Sequence, residues 1–139
     1  MVGVLLITHG ELAQALVQSC EMVIGHSEKV MCLALQPGIE IDAFREDCKT
    51  MIAGLDDGDG VLILTDLFAG TPSNTALFCQ NGLNCECVSG VNLAMLIEAL
   101  TLREDRTLQE LKQAAMAEAA AAICDLKYNL EKTRGTENK

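Results

Sequence analysis

VGVLLITHGELAQAL, residues Val2–Leu16, runs an aliphatic, strand-like stretch into a histidine and a glycine and then turns amphipathic. The switch from a continuous apolar run to a period near 3.6 marks the first strand and helix of a βαβ unit. KVMCLAL (29–35) and GVLILTD (60–66) repeat the move, each a short aliphatic run followed by a turn. Helical spacing follows the first run at Leu12, Leu16, Cys20 and Val23, with Gly25 as the closing residue, and the second at Ile41, Phe44, Cys48, Met51 and Leu55. After the third run Thr71 is placed to cap a helix whose first position is Pro72. A fourth strand, CECVS (85–89), leads through GVN to the helical LAMLIEAL (93–100). Thr107 and Glu110 make a capping box for a last helix with Leu108, Leu111, Ala115, Ala119, Ala122 and Leu126 along one stripe.

This pattern predicts an α/β fold, a three-layer sandwich around a central, mainly parallel sheet with strands near 2–8, 30–35, 60–65 and 85–89; the spatial order expected for them is 2-1-3-4, with strand two on one side of strand one and strand three on the other. One domain is expected over residues 1–130, with 131–139 a polar tail in which KTRGTENK frays. No apolar run reaches the eighteen uncharged residues of a membrane span, and the start of the chain has no basic leader, so a cytosolic protein is expected. A net charge of -10 leaves no basic surface for neutralising phosphates in bulk, which argues against nucleic acid as a partner.

The seven cysteines are odd in number and scattered through apolar segments, and most read as small buried hydrophobes. Cys85 and Cys87 alternate onto one face of a short strand, but a zinc site would want a second ligand pair that the sequence lacks. LDDGDG (55–60) has no register that satisfies a calcium loop and reads as a turn. No metal and no cofactor is expected. His26, in GHSEK, has no motif around it and reads as a solvated turn residue.

In a doubly wound sheet the functional crevice lies beyond the carboxyl ends of the strands, where the winding reverses. With strand two on one side of strand one and strand three on the other, Thr8-His9 and Thr65-Asp66 end the two strands that flank it. A carboxylate at Asp66 can take one ring N–H of His9 and leave the other nitrogen as an outward lone pair, which suits a nucleophile or a general base. Nearby GTPSN (70–74) offers a glycine for close approach, hydroxyls on Thr71 and Ser73 and the open amides of a helix N-terminus, where anions are held. Together these point to phosphoryl transfer through a phosphohistidine.

THG at Thr8–Gly10, PG at Pro37 and Gly38, LTDLFAGTPSN (64–74) and SGVNLAMLIEAL (89–100) resemble, in order and spacing, the enzyme IIA component of the mannose and sorbose family of the bacterial phosphotransferase system. The likeness covers roughly residues 1 to 125; Ala69 departs from the glycine common at its place. The resemblance implies that His9 accepts a phosphoryl group from the histidine phosphocarrier protein and passes it to a IIB component during coupled sugar uptake and phosphorylation. It implies Asp66 as the partner that orients His9, and Thr8, Gly70, Thr71 and Ser73 as the phosphoryl-binding wall. It further implies a homodimer, indirect contact with the membrane IIC and IID components, and a cytoplasmic location peripheral to the inner membrane through that complex; with no linker and second domain after residue 130, a IIB partner on a separate chain is expected.

Two other readings compete. A response-regulator receiver would phosphorylate Asp66 with Mg²⁺, but it needs an acidic pair after the first strand, where this chain has Thr8-His9. A non-catalytic regulatory or binding module on the same fold is the remaining alternative, since fold does not fix function.

Overall fold

The structure, a computed structural model, describes residues 1–137, with side chains through Arg134. Four strands, β1 (Gly3–His9), β2 (Val30–Leu35), β3 (Val61–Thr65) and β4 (Cys85–Val88), form one parallel sheet in the order β2-β1-β3-β4. The sheet and its order agree with the sequence expectation, with β1 shifted one residue later so that His9 is its last residue. The helices α1 (Leu12–Ile24), α2 (Ile41–Leu55), α3 (Thr71–Gln80), α4 (Leu93–Leu102), α5 (Leu108–Ala121) and α6 (Leu126–Glu137) complete the described chain.

β1 and β3 are buried on both faces, as parallel strands between two helical layers must be. Alternation sorts their side chains. Val4 and Leu6 of β1 and Leu62 and Leu64 of β3 face α1, α4 and α5, packing with Ala13, Cys20, Met95, Leu96, Leu111 and Ala115. Leu5, Ile7, Val61 and Ile63 face α2 and α3, packing with Phe44, Cys48, Ile52, Ala76 and Cys79. The helix after β1 thus lies on one face and the helices after β2 and β3 on the other, as right-handed crossovers require when the winding changes direction.

Local signals account for most boundaries. Thr107 and Glu110 make the reciprocal capping bonds of α5, and Asn92 accepts the Met95 N–H to start α4 while donating to the Ala119 carbonyl at the far end of α5. In the LDDGDG turn Asp56 Oδ1 accepts the N–H groups of Gly58 and Gly60. Cys20, Cys48, Cys79 and Cys85 are buried among apolar side chains, and burial pushes the Cys85 thiol up to about 12.

Three expectations need correction. Thr71 is not the cap of α3: Gly70 occupies that position, Thr71 is the first helical residue and Pro72 the second, which still places the proline where its missing N–H has no intrahelical acceptor. The stripe of the last helix stops at Ala119, because the chain breaks after Ala121 and Leu126 begins a separate helix with its side chain exposed. The KTRGTENK segment is helical as far as Glu137 rather than frayed; Asn138 and Lys139 lie outside the described residues. Arg103, in no motif, is buried and donates to the carbonyls of Val2, Glu28 and Lys29, tying the start of β1 to that of β2.

β1 begins so close to the end of α2 that a Cβ on Gly3 would lie 2.8 Å from Leu55 Cβ and 3.0 Å from its carbonyl oxygen, whereas one on Gly54 meets nothing within 4 Å. Gly3→Ala is therefore expected to destabilise the fold by about 1–3 kcal/mol, and Gly54→Ala, one residue from the same contact, to stabilise it by about 0.5–1 kcal/mol. Urea unfolding of the two variants beside the parent checks the opposite signs.

Candidate functional site

β1 and β3 are paired with Ile7 opposite Thr65, so the residues just past that rung, Thr8-His9 and Asp66, meet at the carboxyl edge of the sheet. The pleat sends Thr8 and His9 to opposite faces. Thr8 turns inward on the α1 side, where its hydroxyl accepts the Ala13 N–H in the first turn of α1. It does there what Glu11, at the N-cap with no capping bond from its side chain, does not. The sequence-predicted phosphoryl-binding role puts Thr8 in the cleft; its side chain is wholly buried outside it. His9 turns to the α2 and α3 side and is half exposed.

Asp66 Oδ2 accepts both the backbone N–H and ring Nδ1 of His9, each at 2.9 Å, while Oδ1 accepts the Leu67 N–H at 3.0 Å. Burial pushes the Asp66 carboxyl up, but the His9 backbone and ring hydrogen bonds, the charge of a protonated ring and the N–H donated at its own turn more than offset this. Asp66 therefore sits below the usual aspartate range and is ionised near neutral pH. An ionised carboxylate only accepts, so Nδ1 carries the proton and Nε2 holds the free lone pair of the neutral ring.

Nε2 faces Gly70, the cap of α3: a Cβ added there would stand 3.7 Å from Nε2 and 3.6 Å from Cε1. Gly70 has φ +108, a conformation that any other residue adopts only with strain. The Asn74 N–H donates to the Gly70 carbonyl, and Pro72 has no N–H, which leaves the first-turn amides of Thr71 and Ser73 as the donors at this helix end. On the other side the cleft is closed by Leu35, Gln36, Pro37, Gly38, Ile39 and Ile41, around a space of about 480 Å³ that also touches Thr71. The structure thus brings His9, Asp66, Gly70 and Thr71 together.

Ser73 is present only through its backbone. Its side chain is buried, with Oγ 2.7 Å from Thr65 Oγ1 and donating to the Leu67 carbonyl. A serine one turn inside a helix looks in sequence like a donor to the cleft; which way its hydroxyl turns depends on Thr65, eight residues earlier. His26 is exposed, 3.5 Å from Glu21, as its context suggests. Among the described residues no three His, Cys, Asp or Glu side chains are grouped to hold a metal ion, and no helix is long and apolar enough to cross a membrane.

The arrangement can do one kind of chemistry directly: an oriented imidazole lone pair faces a helix N-terminus suited to an anion. Against known proteins, residues 3–116 match the family described as the PTS system fructose IIA component. The chain is 30% identical over 137 residues to the PTS system fructose-specific EIIA component of Bacillus subtilis, covering 96% of this chain and 92% of that protein. It is 33% identical over 105 residues to the PTS system mannose-specific EIIAB component of Escherichia coli, which covers 75% of this chain but only 32% of that protein's length. Among solved structures, the phosphotransferase system component EIIA from Streptococcus agalactiae superposes with a TM-score of 0.83 at 25% identity, covering 92% of this chain and 99% of that one.

Because the folded pKa of Asp66 lies below its unfolded value, its ionised form stabilises the fold at pH above the ordinary aspartate range, and that contribution is lost as pH falls to the folded pKa. Asp66→Asn is expected to be less stable than the parent near pH 7, with the difference shrinking as the solution is taken below about pH 4. Urea unfolding of both proteins across that pH range measures it; a difference that grew on acidification would contradict the sign.

Proposed function

The chain belongs to the family of phosphotransferase-system IIA components, and from that premise we propose that His9 is the residue on which it carries a phosphoryl group. The observation that carries the reading is the double acceptance at Asp66 Oδ2, which makes Nδ1 the donor and leaves Nε2 as the nucleophile beside the α3 N-terminus. The Nε2 lone pair attacks phosphorus as the bond to the donor's nitrogen breaks, and that nitrogen leaves with the electron pair. The histidine phosphocarrier protein is the donor and a IIB component the acceptor, with the membrane IIC and IID components downstream of this chain. A cytoplasmic location goes with that pairing.

Each part of the site has a separate task. Asp66 offsets the positive charge that develops on the ring as the P–N bond forms, and it holds the tautomer that makes attack feasible. The amides of Thr71 and Ser73, with the Thr71 hydroxyl at the cleft wall, face the phosphoryl oxygens, which gain charge and hydrogen bonding there. Gly70 lets the helix end approach Nε2 without a Cβ in between. A non-catalytic module on this fold would have no use for an imidazole whose free nitrogen is presented to an anion site.

Incubation with phosphoenolpyruvate, enzyme I and the histidine phosphocarrier protein, followed by mass mapping, tests the assignment. An acid-labile label is expected on His9 and none on His26 or Asp66; a hydroxylamine-sensitive label on Asp66 would overturn it. His9→Ala should take no label. Asp66→Asn should be labelled more slowly by about two to four orders of magnitude while staying folded, and Thr71→Val should lose about 1–3 kcal/mol of transition-state stabilisation, the amides being retained.

A further inference from the structure

The loop that carries Asp66 is held in an unusual way. Leu67, Phe68, Ala69 and Gly70 are all exposed, Phe68 by 90%, so no buried apolar side chain anchors the segment between β3 and α3. Beneath it lie two buried hydroxyls, Thr65 at the end of β3 and Ser73 in the first turn of α3. Their oxygens are 2.7 Å apart, and Ser73 also donates to the Leu67 carbonyl. A hydroxyl has one proton to give. Ser73 gives its proton to Leu67, so the shared bond is donated by Thr65, and the chain runs in one direction: Thr65 O–H to Ser73 Oγ, Ser73 O–H to the Leu67 carbonyl.

Leu67 is the link to the site. Its N–H is donated to Asp66 Oδ1, and that N–H fixes the carboxylate whose other oxygen takes both bonds from His9. At the other end of the chain, the Thr65 carbonyl accepts the Val91 N–H, so the first hydroxyl stands on backbone that is itself held from the loop after β4. Ser73 sits one turn from the α3 terminus, so one hydroxyl fixes the carboxylate loop to the helix end that faces Nε2.

We propose that Thr65 and Ser73 are positioning residues: a buried hydroxyl relay that sets the Asp66 carboxylate against His9 and thereby holds the His9 ring as the Nδ1–H tautomer. The relay deepens the phosphoryl-carrier reading and rests on it only for its kinetic consequence; the tautomer is a property of the resting protein.

Long-range ¹H–¹⁵N NMR of the ¹⁵N-labelled full chain reads the His9 tautomer directly, with His26 as an internal reference. The parent should show His9 almost wholly as Nδ1–H. Ser73→Ala and Thr65→Val should lower the ratio of Nδ1–H to Nε2–H by about three- to tenfold. Ser73→Thr and Thr65→Ser keep the hydroxyl and should keep the ratio; the threonine methyl has a space of about 140 Å³ beside Thr65 and Ser73 to enter. With phosphorylated phosphocarrier protein as donor, Thr65→Val should lower kcat at unchanged KM, by a smaller factor than the ratio because Nδ1–H stays the major tautomer, and Thr65→Ser should not. A parent tautomer ratio in cooperatively melting Ser73→Ala and Thr65→Val overturns the relay. Should Ser73→Ala fail to fold, the Thr65→Val and Thr65→Ser pair decides, the relay requiring the ratio to fall in the first alone. A ratio that falls in a protein whose parent takes no label would uphold the relay and overturn the phosphoryl-carrier reading instead.

Discussion

Asp66 Oδ2 accepts two hydrogen bonds from one residue, the backbone and the ring of His9, and that is possible only because β1 and β3 are neighbours in a parallel sheet. The backbone bond continues the sheet's own ladder by one rung with a side-chain oxygen in place of a carbonyl. The ring bond then fixes the imidazole relative to that rung. Two bonds to one oxygen leave the carboxylate little freedom, and the Leu67 N–H on Oδ1 removes most of what is left. The β2-β1-β3-β4 order makes β1 and β3 adjacent while each feeds a crossover in the opposite direction, so the crevice between their ends is open by topology and needs no cavity carved into the core.

Electrostatics then acts locally against the charge of the whole molecule. A chain of net charge -10 repels anions on average, and an ionised Asp66 sits beside the proposed phosphoryl site. What compensates is position: the carboxylate is bonded to Nδ1, while Gly70, the cap of α3, lies on the Nε2 side of the ring and brings the positive end of the helix there. The negative charge is spent on the tautomer and the ring, and the positive end of the helix is left for the ligand. Separation by the width of an imidazole lets a carboxylate and an anion cradle share one small cleft.

How much of this could be read from the sequence follows from the range of each determinant. Strand and helix periods are local, so the four strands were legible from runs such as VGVLLIT and GVLILTD, whereas the pairing of His9 with Asp66 followed only once strands two and three were placed on opposite sides of strand one. The misreadings came where a side chain's direction depends on a distant partner. Thr8 adjoins His9 in sequence, yet the pleat hands it to α1. Ser73 lies in GTPSN, yet Thr65 and the Leu67 carbonyl turn its hydroxyl inward. Gly70 differs from these: GTPSN already offers it as a glycine for close approach, and its φ of +108 and a Cβ position 3.7 Å from Nε2 are the geometry of that approach. Arg103 carries no signal at all, because its three acceptors are carbonyls, which every residue has. Leu126 fits the helical period of α5 but follows the break at Ala122, and period alone does not reveal a break within an alanine-rich run.

The loop from Asp66 to Gly70 has to satisfy two demands that ordinarily oppose each other. It must hold a carboxylate to within a few tenths of an ångström, and on the reading proposed here it must also present its outer side chains, Leu67 and Phe68, to protein partners beside His9. Packing those apolar side chains into the core would fix the loop but bury the surface. Hydroxyls resolve the conflict, because Thr65 and Ser73 take hold of the loop's backbone from beneath and ask nothing of its side chains. A hydrogen bond is directional where apolar contact is not, and in a buried site no water competes for it. The loop's inner edge is therefore set by directional bonds while its outer edge stays exposed, so substitutions at Phe68 and at Ser73 would act on separable properties: contact with a partner in the first case, the state of the His9 ring in the second.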